Sequence, residues 1–384
     1  MDVPTLPLAR PSAFAPAPAY AELRRQGPVV RVLTSEGEPA WAVVDAATVR
    51  QVLNDDRFAI APPGSPPSGS LHDDGPTHAR LRRLLSRAFT PRALAGLRPR
   101  VEQHAADLVE ELERRGRGAD FVTTVARPLP LAVAVDMLGI RVADHERFHT
   151  WADAVSGIAA GSTGETVERA WAEFSGFLAE VIAAKRARPG DDLLSLLVAV
   201  RDADDGRLDD QELVMSALAL VAGGYLTVAN ALSIGVVAIA RAGGFSALTE
   251  PDAATLAAEE VLRFQMGLSG EAFPRWARED VQLAGVPIAA GDRVLVRLEA
   301  ANQDPQRFPD PARFDPARSP NPHLGFGHGP HHCLGAPLAR IELPAAIAAV
   351  ARRLPGLVPA RDPEELPWTG NGLDDGPAVL PVTW

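Results

Sequence analysis

Cys333 is the only cysteine in a chain of 384 residues, and four of the nine histidines (His323, His328, His331 and His332) fall in the ten residues just before it. The stretch 324–340 reads LGFGHGPHHCLGAPLAR. Three kinds of behaviour fit these residue types. A lone cysteine in an apolar setting is most often a small buried hydrophobe. With some of the histidines Cys333 makes a partial zinc set, because His328 and His332 have a usable spacing; structural zinc, however, prefers four ligands and more than one cysteine. The third is ligation of iron by a thiolate. Helical spacing of apolar residues over 334–353 puts Cys333 at the start of a helix, where the dipole and unsatisfied N–H groups are expected to lower the thiol pKa. Gly325, Gly327 and Gly329 carry no Cβ, so this backbone can approach something flat and large.

Other groups are more scattered. In the segment VAGGYLTVAN, Gly223 and Gly224 sit side by side inside a helical pattern, at about 1 kcal/mol each relative to alanine. Close helix packing or a local opening has to account for them. Glu260 and Arg263, at i, i+3, share a helix face and can pair. His78 and Arg82, at i, i+4 within DDGPTHARLRRLLSRAFT (73–90), put two cationic side chains on one face. Asp374 and Asp375 lie in the turn TGNGLDDG (369–376), either as solvated turn residues or as holders of a cation.

Taken together, these stretches resemble the cytochrome P450 family. Its cysteine-ligand loop, F-G-x-G-x-H-x-C-x-G, is filled at every fixed position by Phe326, Gly327, Gly329, His331, Cys333 and Gly335. Glu260 and Arg263 match the family's E-x-x-R pair, and FPDPARF (308–314) matches the meander that supplies a third partner, Arg313, to a folding staple. The segment 73–90 resembles the C helix, and Pro274–Arg275 a further cofactor-contacting segment. The resemblance runs from about residue 10 to the end. It implies one haem domain over 1–384, mainly α with a small β part and a long central I helix over the haem. The implied cofactor is haem b (iron protoporphyrin IX), with Cys333 on the metal and with His78, Arg82, Arg275 and His331 on the propionates. The implied reaction inserts one oxygen atom from O2 into a small organic substrate, often in secondary metabolism such as antibiotic biosynthesis.

Laid on the I-helix signature, Gly223, Gly224, Tyr225, Leu226 and Thr227 occupy its five positions. Thr227 is then the hydroxyl that assists dioxygen activation and relays protons, with the two glycines making room. Leu226 departs from the pattern, which carries Asp or Glu there, and leucine transfers no proton. Water reaching the site by another route, a polar group on the substrate, or an atypical oxidation such as ring closure, coupling or N-oxidation would each accommodate this. By resemblance the substrate pocket includes Tyr225, Leu226, Leu268, Asp374 and Asp375, and the acid pair suggests an amine-bearing substrate. Electrons are expected from NAD(P)H through a separate ferredoxin and its reductase, docking on Arg83, Arg87 and Arg340. From a different class, a non-enzymatic haem or zinc protein that binds a ligand remains the alternative.

Helices are what must position these groups. Between 76 and 265 apolar residues recur at helical spacing, around 77–88, 92–114, 144–160, 166–187, 210–242 and 251–265. Strands are expected at Val29–Leu33 and 40–44 near the start, and at Val281–Leu283, Val286–Ile288 and 294–298, with an irregular meander over 302–330. Residues 59–70, rich in Pro, Gly and Ser, read as a functional loop. The composition, 46% hydrophobic and 23% charged, supplies a core. A net charge of −11 argues against nucleic acid. One cysteine excludes an internal disulfide framework. With no signal-like or spanning segment expected, the chain reads as cytoplasmic and off the membrane.

Overall fold

Helices carry most of the chain because its apolar residues repeat every three to four positions, and they follow one another in the computed structural model as α1 (Ala19–Gln26), α2 (Ala46–Asn54), α3 (Gly75–Ser86), α4 (Pro91–Ala95), α5 (Arg98–Arg115), α6 (Pro128–Leu138), α7 (His145–Val155), α8 (Gly164–Ala187), α9 (Leu193–Asp202), α10 (Asp210–Arg241), α11 (Pro251–Phe264), α12 (Leu298–Ala301) and α13 (Ala336–Arg353). The structure describes residues 3–66, 68–141, 144–155, 163–202, 209–265, 274–369 and 374–384. Leu268 and part of the 369–376 turn lie outside them.

Nine short strands among the described residues complete the fold. They are β1 (Val29–Leu33), β2 (Pro39–Val43), β3 (Phe58–Ala59), β4 (Arg275–Ala277), β5 (Val281–Leu283), β6 (Val286–Ile288), β7 (Arg293–Val296), β8 (Val358–Pro359) and β9 (Val382–Thr383). The largest sheet has the order β1-β2-β7-β4-β3, with β2 and β7 parallel and its other pairs antiparallel. Pairing with β7 carries Arg275, on β4, to a fixed place beside the helices.

The main core is helical. α13 packs against α5 and α11, and α10 against α6 and α8. α10 begins with a reciprocal cap: Glu212 N–H donates to Asp209 Oδ1 at 2.7 Å, and Asp209 N–H donates to Glu212 Oε2 at 3.1 Å. Its 32 residues are long and apolar enough to cross a membrane, which the sequence reading did not anticipate, but most of them are buried inside the fold. An apolar helix surrounded by other helices is what a central core element requires.

Several boundaries differ from the sequence expectation. The run at 92–114 divides at Gly96–Leu97 into α4 and α5. α6 and α9 gave no separate periodic signal because PLPLAVAVDML and LLSLLVAVRD have little polar contrast. Pro128 also reads as a breaker, yet it occupies the first turn of α6, where no N–H is needed.

Candidate functional site

One cavity of about 340 Å³ gathers side chains from segments far apart in sequence. Cys333 opens onto it from the turn before α13, Gly223 and Thr227 from the middle of α10, and His78 and Arg82 from α3. Arg275 on β4 and His331, Phe326 and Gly327 in the loop complete the predicted set on its wall. Gly335 caps α13 beside the sulfur.

The loop is held by backbone bonds. Cys333 N–H donates to Phe326 O at 2.9 Å, and Gly327 N–H to Leu324 O at 2.8 Å. Gly329, at φ +71°, lies so close to α2 that a Cβ would stand 2.3 Å from Leu53 O; no L side chain fits there. On α10, a Cβ on Gly223, which lines the cavity, or on Gly224, which is not among the lining residues, meets nothing within 4 Å. Close packing therefore does not account for the two glycines. They leave open space, and Thr227 Oγ1 donates to Gly223 O at 2.7 Å beside it.

The electrostatics correct one expectation. Cys333 is exposed on the open cavity, yet desolvation by the surrounding protein pushes its thiol up, outweighing the Gly335 and Ala336 N–H groups and the Arg82 and Arg340 charges that pull it down. The helix start alone does not make a thiolate here; a metal ion held on the sulfur would favour the thiolate over the thiol. His331 is pushed down to about 4, first by burial and then by His78 and Arg275. His78 is lowered by burial and by Arg82. The two rings lie 3.9 Å apart, and His331 Nε2 is 3.2 Å from Asp74 Oδ1. The fixed positive charge on this wall thus comes from Arg82 and Arg275, with the imidazoles as neutral N–H donors. A soft sulfur facing clustered donors across a mostly apolar space is the donor set that an iron porphyrin with two carboxylates requires. The residues fit haem.

Other predicted residues are placed elsewhere. Tyr225 and Leu226 are buried and turn away from the cavity; the Tyr225 hydroxyl donates to Asp153 on α7. Burial and that carboxylate raise the Tyr225 pKa well above its usual value. Asp374 is 3% exposed, behind Gln265, whose Nε2 lies 3.4 Å from its Oδ1. Burial and Asp375 push Asp374 up to about 7, so it is not the firm anion a cation site needs. Among the described residues no three His, Cys, Asp or Glu side chains converge as a metal set.

The ion-pair staple also needs correcting. Glu260 and Arg263 pair at 2.7 Å in full burial, but the third member is Arg318, not Arg313. Arg318 Nε donates to both Glu260 oxygens at 3.1 Å. Arg313 is largely exposed, pairs with Asp315, and offers only its backbone carbonyl to Arg263 and Arg318. The meander contains DPAR twice, ending at 313 and at 318, so sequence spacing could not choose between them.

The 59–72 stretch expected to line the pocket does reach the cavity wall through Ile60, Leu71 and His72, whereas sequence reasoning missed Gln265 at the C-terminal end of α11. It also missed Glu259, next to the staple, which accepts from His323 and Arg340.

The family model described as cytochrome P450 matches residues 18–242 and 254–370. The mycinamicin IV hydroxylase/epoxidase of Micromonospora griseorubida is 41% identical over 377 residues, covering 95% of this chain and 94% of that protein. The nocardicin C N-oxygenase of Nocardia uniformis subsp. tsuyamanensis is 38% identical over 397 residues, covering 100% and 99%. The solved structure of the mixed-function P450 MycG superposes with a TM-score of 0.90 at 38% identity, covering the whole of both chains. The chain belongs to the cytochrome P450 family and is one of its monooxygenases.

Proposed function

We propose that the chain binds haem b with Cys333 on the iron and inserts one atom of dioxygen into a small organic product of secondary metabolism. The observation that carries this reading is the convergence of Cys333, the His78–Arg82–Arg275–His331 wall and the Gly223–Thr227 face on one cavity. Bound haem supplies the redox chemistry that activates dioxygen. The protein supplies the rest. Gly335 and Ala336 N–H groups donate to the sulfur and hold its charge. Arg82 and Arg275 neutralise the propionates, and His78 and His331 donate to them. Thr227 holds a proton at Oγ1 and can release it into the space beside Gly223 by giving up its bond to the Gly223 carbonyl. Leu53, Ile60, Leu262, Val296 and Leu298 exclude water and grip apolar substrate surface.

The names of the relatives favour bulky antibiotic-type substrates, and the apolar wall suits them. The nocardicin C relative supports a second reading within the same chemistry, oxidation at nitrogen. Electrons come from NAD(P)H through a ferredoxin and its reductase in the cytoplasm, the ferredoxin docking on exposed Arg83 and Arg87.

The test is the absorption spectrum of the reduced protein with carbon monoxide. A strongly red-shifted main band is expected, and Cys333→Ser should remove it. A band at the ordinary histidine-ligated position in the wild-type protein would overturn the reading. Binding titrations over macrolide, β-lactam and simple amine panels then separate the substrate classes.

A further inference from the structure

We propose that Glu259, His323 and Arg340 form a clamp that positions the Cys333 turn and holds a fixed positive charge beside its sulfur. This rests on the reading of Cys333 as the iron ligand.

The chain of contacts is continuous. Arg340, on α13, donates from Nε to Glu259 Oε1 at 2.7 Å and from Nη2 to Oε2 at 3.0 Å. Glu259 sits on α11 beside the buried staple, and His323 Nε2 lies 3.0 Å from its Oε2. Gly325 N–H donates to His323 Nδ1 at 3.0 Å. An Nδ1 that accepts an amide proton carries none itself, so the proton is on Nε2 and the imidazole is a neutral bridge. It links α11 to the loop in one orientation only. A Cβ on Gly325 would stand 2.6 Å from Leu262 O, so the loop is pressed directly against α11.

The clamp reaches the sulfur by two routes. The Arg340 guanidinium lies 4.7 Å over the Phe326 ring, and the Phe326 carbonyl accepts the Cys333 N–H. The same stack keeps the Arg340 charge against the loop that carries Cys333. His323 is almost fully buried. These contacts make Arg340 a positioning residue committed to Glu259, not a free docking charge.

The test uses the full chain loaded with haem and no redox partner: wild type, Arg340→Gln, Arg340→Lys and His323→Phe. Three quantities are read: the equilibrium reduction potential, the reduced carbon monoxide spectrum, and the melting temperature. Removing a positive charge beside the sulfur disfavours the more negative reduced state, so R340Q should move to a more negative potential. R340K keeps the charge but loses the fork and the ring stack, so it should fall between R340Q and wild type. H323F changes no charge, yet it should transfer part of the carbon monoxide band to the histidine-type position. A purely structural role would lower the melting temperature and leave potential and band in place; that result overturns the clamp. A wild-type potential in R340K beside a shifted R340Q reduces the effect to charge alone and overturns positioning. If H323F does not fold, the Arg340 pair decides. A wild-type protein lacking the thiolate band overturns the ligand reading, and the clamp with it.

Discussion

Leu226 stands where the family signature carries an acid, and its side chain is 6% exposed within the main core. Restoring Asp there puts a carboxylate among apolar neighbours instead of on the cavity wall. Leu226→Asp should therefore destabilise the fold by about 2–4 kcal/mol without improving the yield of product per electron. Denaturant unfolding and a coupling assay check both halves; improved coupling would show that the side chain reaches the site. Asp374 gives a pH prediction. Its folded pKa of about 7 lies above the ordinary carboxylate value, so the folded chain binds this proton more tightly than the unfolded one. Stability from this group is complete below about pH 4 and is lost as pH rises towards 7. Asp374→Asn removes that loss, so its stability relative to wild type should improve between pH 5 and pH 8, by at most about 3 kcal/mol. A difference that does not change with pH contradicts the assignment.

At the scale of elements, the staple joins α11 to the meander that leads into the cysteine loop. Arg263 also donates to Asn302 O and Pro311 O, both at 2.9 Å, so one buried guanidinium ties three segments. Arg318→Ala leaves part of a fully buried carboxylate uncompensated and should cost about 3 kcal/mol or more. Arg313→Ala removes an exposed pair and should change stability by less than about 1 kcal/mol. Urea unfolding of the two variants distinguishes the assignments, and equal losses would return Arg313 to the staple. The tie between Tyr225 on α10 and Asp153 on α7 is a second such link. It accounts for a polar residue in the central helix without giving it a place in the pocket.

Over the whole molecule, a net charge of −11 coexists with exposed arginines at the end of α3, on the helix that also carries His78 and Arg82. The only lysine, Lys185, is committed to Asp192 at 2.5 Å, so basic docking must rely on arginine. Arg83→Glu should slow electron delivery from an acidic ferredoxin and flatten its dependence on salt. Stopped-flow reduction over a range of ionic strengths checks this, and an unchanged salt slope would remove Arg83 from the docking face.

What the sequence determined by itself was whatever depends on residue type and short spacing. The cysteine loop, the Glu260–Arg263 pair, the His78–Arg82 face and the Gly223–Gly224 pair are all local patterns, and α10, α11 and α13 follow from periodicity. Only the tertiary structure decided questions of direction and environment. Arg313 and Arg318 end identical tetrapeptides, and chain path alone made Arg318 the partner. Tyr225 and Leu226 sit within two residues of Thr227, yet the helical turn carries them to the other side. The Cys333 thiol is raised because desolvation by the surrounding fold, which no local spacing reports, outweighs the helix start. A side chain's neighbours across the fold fix its protonation and its exposure, and these neighbours come from segments that the sequence holds far apart.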